Sequence, residues 1–209
     1  TQAIRSYQAY GERTGLKLLN KYFFNLLGGV TTLRGSLCGG TGQASQNLDF
    51  GVRVSHDPLD HYNSKAMILW GRNPVSTNIS LVAIARKIRE NGGRVVVIDP
   101  WATRSVALAD RHIAPRPGRD VYLALAAAKI ILEREKEDST FLENHCTGAQ
   151  QFKALVELWS VDSLCAKAGV PAEDAVYLAD IMIDCFPASI LLGWGMHRYR
   201  DAHCSIRAI

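Results

Sequence analysis

Short apolar runs alternate with amphipathic stretches through the middle of the chain. Residues 66–70 and 94–98 are short runs that are apolar except for Arg94, whereas residues 79–90 place apolar side chains at helical spacing. Continuous runs rich in Val and Ile are typical of strands buried on both faces. Asn91-Gly92-Gly93 ends the helical segment between them. The pattern predicts an α/β fold with a parallel sheet and helices on both faces.

The same alternation continues along the rest of the chain. Residues 161–164 are predicted to form a connection. The remaining pattern predicts strands at 111–114 and 187–192, and helices at 121–135, 139–145, 149–159, 171–183 and from residue 203 onward.

The first part of the chain has a different pattern. Residues 1–27 are predicted to be helical, because their apolar side chains recur at helical spacing and Gly28-Gly29 ends them. Glycines are dense from residue 28 to residue 51. Glycine costs backbone entropy, so we expect a close backbone approach or unusual dihedrals there.

Composition and charge exclude several classes of protein. The chain is 47% hydrophobic and 21% charged, which is typical of a globular protein. Its formal net charge of +4 comes without a Lys/Arg block, so we expect no nucleic-acid partner. No apolar run approaches the roughly 20 residues of a membrane span, so we expect no direct membrane insertion. Of the five cysteines, no two have CxxC spacing, which disfavours a disulfide framework or a structural zinc site.

Four predicted loops follow strand ends, at residues 71–78, 99–104, 115–120 and 193–199. Ligands of open parallel sheets bind outside the carboxyl ends of the strands. Each loop carries small residues and a few polar ones, which favours a nucleotide-binding crevice. The chain has no GxGxxG motif, which disfavours an ordinary NAD site.

Polar residues in these loops have two possible roles each. Ser76, Thr77 and Asn78 precede a predicted helix, where they would bind a phosphate or simply cap the helix. Asp99 ends a strand and would accept ribose hydroxyls or cap the turn with Pro100. Asp120 would accept from the N1–H and N2–H pair of a guanine, or cap the helix that follows, or do both.

Cys38 lies in the glycine-rich loop 36–42. A thiolate in such a loop has the access and the softness to bind a transition metal, although a lone cysteine is also a common buried apolar residue. His197 and His203 have no partner at metal-ligand spacing, so we expect them at the surface or behind the site.

Five motifs resemble the dimethyl sulfoxide reductase family of molybdopterin oxidoreductases in order and spacing. They are Gly71-Arg72-Asn73-Pro74, Val95 to Pro100, Ala109 to Ile113, Arg116 to Asp120 and Leu192 to Met196. The resemblance implies a Rossmann-like domain at 34–209, truncated at its C-terminal end, that holds a molybdopterin guanine dinucleotide. It also implies a helical lead-in at 1–33 that belongs to a neighbouring domain.

The resemblance also implies roles for individual residues. It places Asn73, Ser76 and Thr77 on cofactor phosphates, Asp99 on the ribose, Gly118 and Asp120 near the guanine, and Trp194 and Arg198 along the pterin, with Gly71 and Gly193 in the same loops. Cys38 falls at the position of the protein ligand to molybdenum or tungsten. Two residues depart from the family pattern. Trp101 replaces an Arg and would stack on a base, and Arg119 replaces a Thr and would pair with phosphate.

The implied whole protein is the catalytic subunit of a bis-molybdopterin guanine dinucleotide oxidoreductase, of the kind used in anaerobic respiration. It would perform oxygen-atom or hydride transfer on a sulfur, nitrogen or formate substrate. A 4Fe-4S cluster is expected in an N-terminal region outside this chain, together with an iron-sulfur electron-transfer subunit as partner. The chain opens with Thr rather than Met and ends inside a predicted helix, so we expect a fragment of a larger multidomain enzyme that is inactive alone.

Two alternatives to this enzyme remain open. One is a non-catalytic relative or split subunit that binds a nucleotide or a partner without metal. The other is an unrelated α/β nucleotide-binding module with the same kind of crevice.

Overall fold

The computed structural model describes residues 3–8, 15–53, 55 and 57–209. The first half contains β1 (Arg5–Ser6), α1 (Lys17–Leu26), β2 (Thr31–Thr32), α2 (Gly40–Phe50), a 3-10 helix (Pro58–Asn63), β3 (Ala66–Trp70), α3 (Pro74–Thr77), α4 (Ile79–Glu90), β4 (Arg94–Ile98), a 3-10 helix (Arg104–Leu108) and β5 (Arg111–Ile113). The second half contains α5 (Asp120–Glu133), α6 (Ser139–His145), α7 (Ala149–Glu157), α8 (Val161–Ala168), α9 (Ala172–Asp184), β6 (Ala188–Leu192), a 3-10 helix (Trp194–Arg198) and α10 (Ala202–Ala208).

The main sheet has four parallel strands in the order β5-β4-β3-β6. Trp70 at the end of β3 is in register with Ile98 of β4 and with Leu192 of β6. The strand order reverses between β3 and β6, which makes this position the topological switch point of the sheet. The predicted parallel sheet is confirmed, and β3 and β4 occupy the predicted residues.

Helices cover both faces of this sheet. Ile68 and Trp70 point into a core formed with α5, α8 and α9, whereas Met67 and Leu69 point into a core formed with α4. Every residue of β3 is buried, because neighbouring strands cover its two edges and helices cover its two faces. This burial on both faces explains the continuous apolar run.

The prediction of a helix over residues 1–27 is wrong at its start. Arg5–Ser6 forms a strand that pairs in parallel with Thr31–Thr32, and Thr31 N–H donates to the carbonyl of Ile4 at 3.0 Å. The helix occupies only Lys17–Leu26, and residues 1, 2 and 9–14 of the prediction lie outside the described part of the chain. The side chains that suggested a helix are exposed: Leu18, Leu19, Tyr22, Phe23 and Leu26.

Two further helices were not predicted, and one of them replaces the connection expected at residues 161–164. Part of the glycine-rich segment is α2, which ends at Gly51 with a φ of 74°. Residues 161–164 begin α8, because the Ser160 hydroxyl accepts from the Ser163 N–H at 3.2 Å and caps this helix. Gly169, with a φ of 78°, ends it. Leu164 is buried in the core as a result.

In the part of the chain that the structure describes, no helix has both the length and the hydropathy that crossing a membrane requires.

Candidate functional site

The loops after β3 and β6 cross at the switch point. Gly193 N–H donates to the Trp70 carbonyl at 2.7 Å, and a Cβ atom on Gly193 would lie 1.6 Å from the Gly71 carbonyl oxygen. Gly71 has a φ of 62°, and a Cβ atom there would lie 2.7 Å from Cγ of Met196. The two backbones reach this separation only because both residues lack a side chain. Gly71 and Gly193 therefore shape the floor of the crevice.

Asn73 is the centre of a hydrogen-bond network in the loop after β3. Its Oδ1 accepts from the Ser105 hydroxyl at 2.6 Å, and its Nδ2 donates to Ser76 at 3.1 Å. The Thr77 hydroxyl donates to the Asn73 carbonyl at 2.8 Å. Ser105 is fully buried and also accepts from Val75 N–H at 3.2 Å. The network fixes the backbone from which Asn73, Ser76 and Thr77 would meet a phosphate.

Ser76, Thr77 and Asn78 do not cap α4 with their side chains. Ser76 and Thr77 belong to a short helix of their own, Pro74–Thr77. Asn78 precedes α4 without a capping hydrogen bond from its side chain. The side chains of Ser76 and Thr77 are exposed at the carboxyl end of the sheet.

Asp99 caps the turn after β4. Its Oδ1 accepts from Trp101 N–H at 2.9 Å, and a ring nitrogen of His112 lies 2.8 Å from its carbonyl oxygen. Trp101 projects from this turn with 76% of its surface exposed. The turn leaves an indole face available for stacking at the same end of the sheet as the other loops.

Asp120 is the first residue of α5, and Arg119 is the N-cap residue. The expected capping role of Asp120 is therefore wrong. Its side chain is buried, and its Oδ1 accepts from the indole Nε1–H of Trp70 at 2.8 Å. Burial raises the pKa of Asp120, the hydrogen bond from Trp70 lowers it, and the charge of Asp99 raises it; the net shift is upward. Asp120 is thus the buried carboxyl group of the crevice.

Gly118 brings the loop before α5 against the last loop. Its φ is 72°, and a Cβ atom there would lie 3.1 Å from the ring of Tyr199. The loops 115–120 and 193–199 are therefore in contact, as a shared crevice requires.

Cys38 lies just before α2, whose N-cap residue is Gly39. Cys38 is partly buried, and its N–H donates to the Ser36 hydroxyl at 3.2 Å. Nη2 of Arg198 lies 3.8 Å from the Cys38 sulfur, which joins this loop to the loop after β6. This contact places a cationic guanidinium beside the sulfur of the candidate metal ligand.

His197 makes a second link between these loops. Its Nδ1 accepts from Gly42 N–H at 3.3 Å, and its ring fills the space that a side chain at Gly42 would need. Burial lowers the pKa of His197, and the charges of Arg53 and Arg198 lower it further, against a hydrogen bond with the backbone of Gly39. His197 is half-buried. Its ring contacts the first turn of α2, next to the loop that carries Cys38. His203 is exposed on α10, as expected.

Arg72 was missed as a site residue. Its Nη1 donates to the Leu192 carbonyl at 3.4 Å, but its Nε is buried and has no hydrogen-bond partner among the described residues. Arg72 lines a cleft of about 370 Å³ together with Arg53, His197 and Trp194. Among the described residues that line this cleft, none is acidic. The cleft suits an anionic group such as the pyrophosphate of a dinucleotide.

The sequence signals for the missed residues are weak. Arg72 stands inside a recognised motif, but its unpaired nitrogen exists only in the folded chain. Ser105 is separated from its partner Asn73 by 32 residues.

A family model described as molybdopterin oxidoreductase matches residues 14–209. The probable oxidoreductase YyaE of Bacillus subtilis (strain 168) is 38% identical over 100% of this chain. The dimethyl sulfoxide reductase DmsA of Haemophilus influenzae is 27% identical over 90% of it. The chain spans 31% and 26% of these two relatives, respectively.

The fold is also found in a solved structure. Acetylene hydratase from Pelobacter acetylenicus matches 98% of this chain with a TM-score of 0.78 and 21% identity, and the match covers 28% of that protein. The TM-score shows a shared fold. The family model, which covers nearly all of the chain, confirms the resemblance drawn from the five motifs and excludes an unrelated nucleotide-binding module. The chain therefore belongs to the molybdopterin oxidoreductase family.

Proposed function

We propose that this chain holds a molybdopterin guanine dinucleotide within a molybdenum- or tungsten-dependent oxidoreductase, and that Cys38 ligates the metal. The observation that carries the proposal is the contact between Cys38 and Arg198 beside the crevice loops. It joins the candidate metal ligand to the loop after β6, which also borders the switch point.

The crevice offers matching groups for each part of the dinucleotide. Arg72 supplies a buried Nε, without a partner among the described residues, for the pyrophosphate, and the same loop carries the exposed side chains of Ser76 and Thr77. This pairing satisfies a nitrogen that otherwise stays buried without a partner.

At the nucleoside end, Asp99 and Trp101 lie at the end of β4 and would meet the ribose and the base, while Gly118 and Asp120 would meet the guanine edge. At the other end, Trp194 and Arg198 would lie along the pterin. Asn73 would contact the phosphates together with Ser76 and Thr77, and Gly71 and Gly193 would let the two loop backbones approach the cofactor.

When bound, the cofactor supplies two-electron redox chemistry at its metal, by oxygen-atom or hydride transfer to a sulfur, nitrogen or formate compound. The residues of this chain orient it. Arg198 holds positive charge beside the Cys38 sulfur, and His197 stays uncharged while it accepts from the backbone of α2. A 4Fe-4S cluster outside this chain and an iron-sulfur partner subunit would carry the electrons.

Metal and pterin analysis of the complete protein tests this proposal. The protein is purified without oxygen from the full reading frame that contains this chain, as wild type, Cys38→Ser and Cys146→Ser. Cys146 is exposed and is the C-cap residue of α6, outside the four crevice loops, so Cys146→Ser is the matched control. We expect about one Mo or W and two pterin guanine dinucleotides in the wild type and control, with a changed metal signal in Cys38→Ser.

A wild type that matures without metal or pterin would contradict the proposal. The second candidate, a non-catalytic module that binds a nucleotide, would then be favoured, because Arg72 and Asp120 form their sites without Cys38. In that case the protein would bind a guanine nucleotide and no metal.

A further inference from the structure

We propose that Trp70 positions Asp120 for recognition of a guanine base and thereby determines the base specificity of the crevice. The inference rests on the proposed function, in which Asp120 meets the guanine edge. Trp70 itself would not touch the ligand and acts through the carboxylate.

The two residues meet across the junction of sheet and helix. Trp70 is the last residue of β3 and is 2% exposed, and its indole Nε1–H donates to Asp120 Oδ1 at 2.8 Å. Among the described residues, Trp70 is the only side chain that donates a hydrogen bond to this carboxylate. The indole is packed in the core with α5, α8 and α9, and this packing holds its N–H towards Asp120.

A carboxylate held in this way is suited to guanine. Two carboxylate oxygens offer about four acceptor positions, and the indole occupies one of them. The guanine N1–H and N2–H donors lie side by side and would use two of the others. Hypoxanthine lacks the N2 amino group and would lose one of these bonds, and adenine does not present the pair. The orientation of the carboxylate plane then decides which base binds.

Trp70 also acts on the charge of Asp120. Burial and the negative charge of Asp99 both raise the pKa of Asp120, whereas the hydrogen bond from Trp70 lowers it. The guanidinium of the adjacent Arg119 lies over the ring of Tyr122, 5.8 Å from its centroid. Trp70 therefore lowers the pKa of this buried carboxyl group, as the backbone N–H of Asp120 also does, and so favours the ionised form that accepts from a base.

The experiment compares GMP, IMP and AMP binding to the complete protein in its cofactor-free form, at several pH values. We expect the wild type to prefer GMP over IMP by about tenfold or more, as one hydrogen bond to a charged group provides. In Trp70→Phe this preference should fall towards unity, and the pH above which GMP binds tightly should rise. AMP affinity should be the same in both proteins.

Ile98→Val is the matched control. Ile98 is the β4 partner of Trp70 in the same core, so the substitution removes core volume without removing a hydrogen bond. It should keep both the GMP preference and the pH profile. A Trp70→Phe protein that is folded and still prefers GMP would overturn the inference.

NMR of the indole N–H groups tests the pair without any ligand. In the complete protein, the Trp70 indole signal is identified as the one missing from Trp70→Phe. It should move in Asp120→Asn, and an unmoved signal would overturn the inference.

Asp120→Asn separates the inference from the proposed function. If this variant retains the GMP preference, or if the wild type has none, guanine recognition by Asp120 fails, and the role proposed for Trp70 fails with it. If Asp120→Asn abolishes the preference but Trp70→Phe does not, only the role of Trp70 fails.

Discussion

The backbones of Gly71 and Gly193 approach so closely that a methyl group on Gly193 would lie 1.6 Å from the Gly71 carbonyl oxygen. This contact joins the loops on the two sides of the switch point. Two strands that are far apart in sequence thus present a single continuous crevice. The geometry leaves no room for adjustment, since the obstructing atom belongs to the backbone.

Gly193→Ala should therefore destabilise the protein by about 3 kcal/mol or prevent folding, because the added methyl group must push the two loops apart. Gly195→Ala is the control, since a Cβ atom there has no neighbour within 4 Å. Denaturant unfolding of both variants measures the difference. Equal stability of the two variants would show that the loops do not pack in this way.

Asp120→Asn should make the protein more stable at neutral pH. The pKa of Asp120 is raised in the folded state, so its contribution to stability is complete below the unfolded pKa and is lost as the pH rises through the folded pKa. An Asn side chain has no charge to bury and retains an oxygen that accepts from Trp70. The free energies of unfolding of the wild type and of Asp120→Asn, measured from acid to neutral pH, should differ more as the pH rises. Parallel curves would contradict the burial of a charged Asp120.

His197→Asn should reduce the loss of stability in acid. The pKa of His197 is lowered in the folded protein, so its contribution is present above the unfolded pKa of about 6.5 and is lost as the pH falls through the folded pKa. The Asn oxygen can still accept from Gly42 N–H. His203→Asn, at an exposed position, should leave the acid branch unchanged. Thermal unfolding between pH 5 and pH 8 measures the stability of both variants. If their stability depends on pH in the same way, the pKa of His197 is not lowered by folding.

Ser105→Ala should weaken the phosphate end of the crevice. The substitution removes the hydroxyl that donates to Asn73 and accepts from Val75 N–H, both in the loop after β3. We expect a loss of about 1–3 kcal/mol in stability, since a buried polar group loses its partner. Affinity for GDP should fall more than affinity for guanosine. If the variant is as stable as the wild type and binds GDP with the same affinity, Ser105 does not support the phosphate-binding loop.

Arg111→Met should destabilise the protein by about 3 kcal/mol, because it leaves the buried Asp174 carboxylate without its charged partner. The Arg111 guanidinium lies 2.6 Å from Asp174 and 2.9 Å from Glu173. Glu173 is 73% exposed, so Glu173→Gln should cost less than about 1 kcal/mol. Denaturant unfolding compares the two variants, and equal effects would show that burial does not decide the strength of this ion pair.

The sequence by itself determined the strands of the main sheet and most of the helices that flank it. Residues 66–70 and 94–98 are strands at the predicted bounds, because burial on both faces demands an unbroken apolar run and Gly or Asp-Pro then ends it. The ordered loop motifs also identified the family. The local sequence pattern was sufficient to predict an element wherever its whole length is buried, or buried along one face.

Only the tertiary structure decided which loop residues act together. Arg5–Ser6 became a strand through pairing with Thr31–Thr32, a contact that helical spacing does not encode. Trp70 meets Asp120 over a separation of 50 residues, and Arg198 meets Cys38 over 160. Such pairs depend on the strand order β5-β4-β3-β6, which brings the ends of distant strands to one edge. Hydrogen bonds act over a few ångströms in space, so their partners follow from the sheet topology and not from position along the chain.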